Sequence, residues 1–301
     1  MSRKWLRRAG LALASLLVLL VLAAGAGYGA SARRLNRTYR APAEALSIPT
    51  DSASLARGKH LATAIGKCVA CHGDDLSGKI FIDDPALGRV TAANLTSGRG
   101  GIGGRVSALD LERAIRHGIR HDGRSVMIMP AEDWREMSDA DVGALIAYIR
   151  QLEPVDKVLP SSTLGPVGRA LLVGNVLPLL KAELAAEATH PAAPEPGPTA
   201  EYGRYLANVG GCTGCHGVGL SGGRLPGTPP EFKPASNITP AGIGRWTEAD
   251  FVRALRTGTR PGGSPIDREM PWELTRLMTD EEMRALYLYL QTLPSRPYGN
   301  R

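Results

Sequence analysis

Two short stretches decide the fold of this chain: Cys68-Val69-Ala70-Cys71-His72 and Cys212-Thr213-Gly214-Cys215-His216. They share the pattern Cys-x-x-Cys-His, and together they contain all four cysteines of the 301-residue sequence. Four cysteines are too few for a disulfide scaffold in a chain of this length, so their spacing carries more information than their number. Each stretch places two thiols three residues apart, with an imidazole directly after the second.

The sequence around the two motifs is duplicated. The motifs are offset by 144 residues, and the pairs Met129-Pro130 and Met270-Pro271 are offset by 141. A repeat of this length predicts two tandem domains, which we place at 50–152 and 199–295, with a bridge over 153–198. Other matches are Gly58–Ala62 with Gly203–Ala207, Asn94–Thr96 with Asn237–Thr239, Gly101–Gly103 with Gly242–Gly244, and Met137–Asp139 with Met278–Asp280.

Each repeat predicts the same series of helices. An opening helix at about 53–66 or 199–209 runs into each cysteine motif. A second helix begins at Ser107 or Thr247, where an acid three residues later completes a capping box. A last helix follows Ser138 or Thr279, with apolar residues at helical spacing. The intervening stretches are rich in Gly and Pro and predict loops, so nothing requires a sheet and the expected fold class is all-α.

The bridge contains an apolar stretch, Ala170–Leu180, between Arg169 and Lys181. It is too short to span a membrane, so we expect a packed helix broken at Pro178. The Pro-rich residues 190–199 predict a stiff, extended linker.

The amino-terminal segment, 1–32, predicts a membrane helix. Ala9–Ala32 has 24 residues without a charge, whereas a signal peptide's apolar region is about 7–15 residues long. The four basic residues within 3–8 place the amino terminus in the cytoplasm and the rest of the chain outside it. The alternative is cleavage after Ala32, although Arg33 and Arg34 would follow such a cut directly. These four charges also supply more than half of the net charge of +7, so nothing indicates nucleic-acid binding.

Cys-x-x-Cys-His is the attachment motif of c-type haem. It predicts two covalently bound haem c groups, held as thioethers by Cys68 and Cys71 and by Cys212 and Cys215, with His72 and His216 as axial iron ligands. A zinc site and a thioredoxin-like pair are the alternatives. Zinc ribbons place their Cys pairs about 15–20 residues apart, and a thioredoxin-like pair needs a βαβ context. Two buried porphyrins would also explain why so long a chain has only 15 aromatic residues.

Met129 and Met270 are the predicted sixth iron ligands. They recur 57 and 54 residues after the motif histidines, and a rigid proline follows each. His/Met ligation raises a haem's reduction potential. Met127 has no counterpart in the second repeat, and Met137 and Met278 are predicted core residues. The histidines at 60, 117 and 121 are not shared by both repeats and are expected to be exposed or hydrogen-bonded. Haem-edge contacts or plain packing roles are equally open for Arg105, Arg245, Trp246, Asn94 and Asn237, the last two also lying in glycosylation-type Asn-x-Thr triplets.

With these motifs in place, the chain resembles bacterial di-haem class I c-type cytochromes over about residues 50–295. The second repeat carries the resemblance most fully, through Tyr202–Ala207, Gly211–Gly217, Leu220–Gly223 and Met270–Trp272. The first repeat departs from it with Val106 where the second has Trp246. The repeats are also similar to the cytochrome subunits of membrane-bound sugar and alcohol dehydrogenases, which carry three such domains.

The resemblance implies a protein of the bacterial inner membrane, tethered by its amino-terminal helix, that moves single electrons in the periplasm. Its expected partners are redox proteins: a dehydrogenase, a quinol-oxidising complex or a terminal oxidase. Two six-coordinate haems leave no iron position for a substrate, so we expect an electron carrier rather than an enzyme. The alternatives are a di-haem oxidoreductase such as a peroxidase, which needs one exchangeable iron position, and a fixed cytochrome subunit of a dehydrogenase complex.

Overall fold

The chain opens with a single long helix, α1 (Arg3–Leu35). The structure is a computed structural model that describes residues 3–41, 46–184, 192–226, 228 and 230–301. The most apolar 18-residue window of α1 has a mean hydropathy of 2.5, and none of that window is buried in the protein. By length and composition, α1 is therefore able to cross a membrane.

Two similar helical units follow, separated by the bridge. The first domain contains α2 (Ser52–His60), a π-helical turn (Leu61–Ile65), α3 (Cys68–His72), α4 (Ala108–His117), α5 (Ala131–Trp134) and α6 (Asp139–Arg150). The bridge contains α7 (Pro166–Val173) and a 3₁₀ turn (Lys181–Glu183). The second domain contains α8 (Ala200–Val209), α9 (Cys212–His216), α10 (Pro240–Ile243), α11 (Glu248–Thr257), α12 (Trp272–Thr275) and α13 (Asp280–Thr292).

The predicted helix starts are confirmed. Ser107 and Thr247 cap α4 and α11, each in a complete capping box with the acid three residues later. Thr279 caps α13 in the same way, whereas the Ser138 side chain caps α6 by accepting from the Asp141 amide. These starts depend on hydrogen bonds between residues only three apart, which is why the sequence shows them.

The π-helical turn takes up one extra residue in the first domain. Gly58 and Gly203 are offset by 145 residues but the cysteine motifs by 144, so the first repeat is one residue longer between these points. The amide of Gly66 bonds to the carbonyl oxygen of Leu61, five residues back, at 2.7 Å. A π-helical turn holds one more residue than an α-helical turn, so the helix still enters the cysteine motif in register.

The expectation of an all-α fold was incomplete, because a small antiparallel sheet joins the first domain to the bridge. Its strands are β1 (Lys79–Asp84), β2 (Gly88–Ala92) and β3 (Thr163–Leu164), in the order β1-β2-β3. The two longer strands are rich in β-branched and aromatic side chains, which favour strands. The second repeat has several prolines in the matching segment, and proline cannot donate to a strand ladder. In that segment the structure shows an isolated antiparallel β-bridge pair, Gly223 with Ala235.

The bridge helix ends earlier than predicted. We expected a break at Pro178, but α7 ends at Val173, and Asn175 adopts a left-handed backbone with φ of 53°. A left-handed residue after a helix is a usual stop, and asparagine tolerates it better than most residues. The predicted linker at 190–199 lies partly outside the described residues.

In each domain the first and last helices cross closely. A Cβ atom added to Gly58 would lie 2.0 Å from the carbonyl oxygen of Ala144, and one added to Gly203 would lie 1.9 Å from that of Ala285. Both positions therefore require glycine. The crossings bring α2 onto α6 and α8 onto α13. The π-helical turn that follows α2, together with α6, α8 and α13, supplies apolar residues to one buried cluster.

Candidate haem sites

Each Cys-x-x-Cys-His motif forms one turn of helix, α3 or α9. The residue before each turn is left-handed: Lys67 has φ of 53° and Gly211 has φ of 71°. Cysteines three residues apart in a helix lie on the same face. The backbone thus presents both thiols and the following imidazole from a single compact turn.

The two motif histidines are held in the same orientation. Nδ1 of His72 lies 2.8 Å from the carbonyl oxygen of Ala93, and Nδ1 of His216 lies 2.7 Å from that of Ser236. Because a carbonyl oxygen only accepts, Nδ1 must carry the proton, and Nε2 presents a lone pair. Burial lowers the pKa of both imidazoles below the ordinary value, which favours this neutral form. A histidine fixed through Nδ1 is the usual arrangement of a metal-ligating imidazole.

A duplicated asparagine clamp follows each accepting carbonyl in the sequence. In the first domain Asn94 accepts from the amide and hydroxyl of Thr96, at 2.9 and 2.8 Å, and donates from Nδ2 to the carbonyl of Val155. Asn237 makes the equivalent contacts with Thr239 and the carbonyl of Arg296. Asn94 is 2% exposed, too buried to accept a glycan. The repeated Asn-x-Thr triplets therefore have a structural role.

No disulfide joins any of the four cysteines. Burial raises the pKa of Cys68 to about 12 and raises those of Cys71, Cys212 and Cys215. The thiolate is the reactive form of cysteine, and burial here outweighs the nearby cations Lys67, Lys79 and Arg301, so these thiols lack the lowered pKa of a redox-active pair. Among the described residues, no group of three or more His, Cys, Asp or Glu side chains is placed to hold a metal ion.

Met129 and Met270 stand on matching turns. The amide of Ala131 bonds to the carbonyl of Met129 at 2.8 Å, and the amide of Trp272 bonds to that of Met270 at 2.7 Å. The intervening prolines have φ of −78° and −77° with ψ of 62° and 53°, which is an inverse γ-turn. Both methionines are partly buried against the core, as are Cys68 and Cys212. Their role as iron ligands stays a prediction.

The competing residues lie elsewhere. Met127 pairs with Leu180 and packs on a separate small cluster under the bridge. Met137 and Met278 are 0% and 3% exposed, which confirms that they are core residues. His60 is hydrogen-bonded to Glu282. His117 lies 3.6 Å from Glu112, and His121 is exposed.

The residues suggested to contact the haem edge differ in their surroundings. Arg105 donates from Nε to the carbonyl of Gly101 at 3.1 Å, which is a local packing contact. Arg245 is exposed. Trp246 and Val106 occupy matching positions in the two repeats, and both are partly buried against the core.

The residues present fit a covalently attached porphyrin. Each domain supplies two uncharged thiols on one turn, a neutral imidazole with a free Nε2 lone pair, and partly buried apolar side chains that a flat apolar group would cover. For the first domain these apolar residues include Cys68, Val106 and Met129, and for the second Cys212, Trp246 and Met270.

The sequence model of one protein family matches both domains. The family is cytochrome c, and the matched residues are 55–153 and 200–294. The chain belongs to the cytochrome c family. Membership implies covalently bound haem c, as the two motifs predict.

Relatives of this cytochrome fall into two groups. It is 28% identical over 284 residues to the cytochrome c subunit of a quinone-type alcohol dehydrogenase from Gluconobacter oxydans, covering 83% of this chain but 56% of that protein. It is 30% identical over 278 residues to the cytochrome c subunit of gluconate 2-dehydrogenase from Pantoea cypripedii, covering 81% of this chain and 60% of that protein. A dihaem cytochrome c-type protein from Cereibacter sphaeroides is 28% identical over 302 residues, covering 89% of this chain and 94% of that protein. The cytochrome thus spans little more than half the length of these dehydrogenase subunits.

Three residues at the junction of the two motifs, Lys67, Asp133 and Trp134, were missed by sequence reasoning. Lys67 donates from Nζ to the carbonyls of Ile65 and Gly210 at 3.0 and 3.1 Å, and Trp134 donates from Nε1 to that of Val209 at 3.1 Å. A Cβ atom added to Gly211 would lie 3.2 Å from Oδ2 of Asp133. The segments that flank the two cysteine motifs of the cytochrome are therefore in direct contact. The only signal in the sequence was that Lys67 and Asp133 have no charged counterpart at the matching positions of the second repeat.

The charged side chains at this junction are partly buried. Burial lowers the pKa of Lys67, against the raising effect of the nearby cysteines and Asp133. Burial, and then the charge of Glu132, raises the pKa of Asp133 to about 6, although Lys67 and Lys181 act to lower it. A titratable carboxyl next to the second cysteine motif changes the local charge near neutral pH.

Proposed function

We propose that this chain is a membrane-tethered di-haem cytochrome that passes single electrons between a dehydrogenase and a further redox partner. The observation that supports this most directly is the repetition of one site: a Cys-x-x-Cys-His turn, a histidine fixed through Nδ1 and a Met-Pro turn occur once in each domain. A site shared by both domains is best explained by a function that both perform.

The protein's own groups hold and orient the cofactor. The two thiols of each motif would form thioethers, and His72 and His216 would present Nε2 as the proximal ligand. Met129 and Met270 would supply the distal sulfur. When bound, each haem supplies an iron that cycles between ferrous and ferric states, at a potential raised by the methionine ligand. Filling both axial positions leaves no place for a substrate, which favours electron transfer over a peroxidase-type reaction.

The junction between the motifs supports transfer within one molecule. Lys67 and Trp134 each donate a hydrogen bond across the domain boundary, to residues within three positions of Cys212. Such bonds fix the position of one attachment turn relative to the other. Electron transfer needs short and constant separations, so we propose that the two domains act as one relay.

Anchoring by α1 places the relay at a membrane. The basic residues at the start of α1 favour a cytoplasmic amino terminus and haem domains in the periplasm of a bacterial cell. Cleavage after Ala32 would remove Tyr28 and Ser31, yet Ser31 is fully buried and both residues contact Arg169 in the bridge. These contacts support retention of α1.

The proposed partner is a dehydrogenase. Two of the relatives described above are named as cytochrome subunits of dehydrogenases for alcohol and gluconate. A third is named as a subunit of fructose dehydrogenase from Gluconobacter japonicus, 28% identical over 287 residues. The oxidised substrate differs among them, so the shared part is the cytochrome's task of accepting electrons from a catalytic subunit.

Met129→Ala and Met270→Ala test the ligand assignment in the full haem-loaded chain. Each variant should convert one of the two haems from low-spin to high-spin in optical and electron paramagnetic resonance spectra, while Met127→Ala should leave both low-spin. An unchanged spectrum in either ligand variant would reject that methionine. A high-spin haem in the unaltered chain that binds peroxide would instead favour the di-haem peroxidase.

A further inference from the structure

The bridge presents an apolar face that the described residues of both haem domains leave exposed. Residues 166–180 contain a single charged residue, Arg169. On α7 the exposed positions Val167, Ala170 and Val173 follow helical spacing, and none is polar. A helix face turned to water normally carries polar or charged side chains. An exposed apolar face therefore indicates contact with something other than water. The exposed fractions of the valines in this segment are 46% at 167, 39% at 173 and 52% at 176.

The one charge of this segment is turned toward α1. The guanidinium of Arg169 lies 4.1 Å from the ring centroid of Tyr28, and its Nη1 donates to Oγ of Ser31 at 2.8 Å. Arg34 returns a bond from its Nη1 to the carbonyl of Leu172. The membrane-type helix and the apolar bridge are therefore joined side by side along the last two turns of α1.

The level of this joint follows from the length of α1. Twenty residues at 1.5 Å each span about 30 Å, which is the thickness of a bilayer's hydrocarbon core. If the core begins at Ala9, where the uncharged stretch begins, it ends near Tyr28. Tyrosine at that depth is typical of the membrane interface, and Arg33 and Arg34 then lie among the headgroups. Because α7 contacts α1 at Tyr28 and Ser31, α7 lies at the interface too.

The segment is also fixed at its far end. Glu183 accepts from Arg34 at 2.6 Å and from the hydroxyl of Tyr39 at 2.9 Å. Lys181 pairs with Glu132 of α5, and Leu180 belongs to a buried cluster with Leu164 and Leu172. The apolar loop is thus held between the end of α1 and the first haem domain.

We propose that residues 166–180 form a second membrane contact, lying in the interface of the leaflet at the carboxyl end of α1. Val167, Val173 and Val176 meet acyl chains there, as in other interfacial helices. The occupant is lipid because the face continues the surface of α1 at the same depth. The contact holds the first haem domain at a set height and tilt on the membrane. This inference rests on the proposed anchoring by α1.

The test uses the full haem-loaded chain in lipid nanodiscs, with single cysteines read by a membrane-impermeant maleimide and mass spectrometry. The native cysteines are consumed by haem attachment. Val176→Cys and Val167→Cys should react about tenfold more slowly than Leu277→Cys, because modification requires the side chain to leave the lipid. Leu277 is the matched control, since it is 51% exposed on the second domain. Leu16→Cys, in the middle of α1, reports the anchor itself.

The outcomes separate the two claims. Reaction at 176 and 167 as fast as at 277, with 16 protected, overturns the second membrane contact and leaves the anchor intact. Reaction at 16 as fast as at 277 overturns the anchoring and, with it, this inference. A photoreactive benzoyl-phenylalanine at 176 should give adducts with the mass of a lipid. Crosslinked dimers in place of lipid adducts would show that a second copy covers this face and would overturn the proposal.

Discussion

Tyr205 of the second domain donates a hydrogen bond of 2.7 Å to Oδ2 of Asp141 in the first domain. The reverse contact joins His60 of the first domain to Glu282 of the second, also at 2.7 Å. His60 and Tyr205 occupy matching positions in the repeat, as do Asp141 and Glu282. The two domains therefore meet through one pair of contacts used twice, related by an approximate two-fold. Arg57 adds bonds to both acids, at 2.8 Å and 3.2 Å.

Tyr205→Phe should destabilise the full chain by about 1.5–3 kcal/mol, the range for a hydrogen bond to a charged group. The loss arises because Asp141 is buried and would keep only part of its hydrogen bonding. Chemical denaturation followed by haem absorbance measures it. The control is Tyr298→Phe, since Tyr298 is 61% exposed and its loss should fall within about 0.5 kcal/mol. Equal stability of the two variants would contradict a structural role for the Tyr205 bond.

Acid should weaken the domain boundary through Glu282. Burial acts to raise the pKa of Glu282, but hydrogen bonds from His60 and the Thr279 amide, with the charges of His60 and Arg57, lower it below its ordinary 4.5. A lowered pKa contributes stability above the ordinary value and loses it as the pH falls through the folded one. The free energy of unfolding, measured on both sides of pH 4.5, should therefore fall steeply with decreasing pH in the parent chain and less steeply in Glu282→Gln. Glu281→Gln, exposed on the same helix, controls for the change in charge. If Glu282→Gln shows the same dependence of the free energy of unfolding on pH as the parent chain, the assignment to Glu282 is refuted.

Asn94→Ala should destabilise the first domain by about 1–3 kcal/mol, because the buried partners of the asparagine lose their hydrogen bonds. Those partners are Thr96 and the carbonyl of Val155. Thermal unfolding of the haem-loaded chain measures the change, and Asn300→Ala, at an exposed position, is the control. A glycan attached at Asn94 would contradict the clamp, since the side chain is 2% exposed.

The potential of the second haem should fall as the pH rises through about 6, where burial places the pKa of Asp133. Deprotonation adds a negative charge beside Gly211, and negative charge favours the ferric over the ferrous state. Lys67, Lys181, Glu132 and Thr213 also face this carboxyl and set its titration. Redox titrations on both sides of pH 6 should show this fall in the parent and lose it in Asp133→Asn. A fall of the same size in the variant would assign it to another group.

Local features of this fold were predictable, and contacts distant in sequence were not. The caps at Ser107 and Thr247 depend on partners three residues away, and duplication confirmed the pattern. The β1–β2 hairpin was missed although Ile80, Phe81 and Ile82 favour a strand, because the Pro-rich segment of the second repeat does not repeat that pattern. The π-helical turn was visible as a change of offset, but an offset does not specify how the backbone takes up a residue.

The candidate sites show the same division. The cysteines and histidines follow from adjacency in the sequence, and the Met-Pro turns follow from their recurrence. The carbonyls that orient His72 and His216 lie 21 and 20 residues away in irregular backbone, where no pattern points to them. The bond between His60 and Glu282 spans 222 residues and depends on how two domains pack. Sequence periodicity within each domain carries no information on that packing.

We expect each domain to hold one covalently attached haem. The most direct measurement is the intact mass of the full chain, made in cells that attach haem c and then extracted with acidic solvent to remove any non-covalent haem. We predict the mass of the polypeptide plus two haem groups, reduced to one haem by the double change Cys68→Ala and Cys71→Ala or by Cys212→Ala and Cys215→Ala. A parent chain that retains one haem or none would contradict the account.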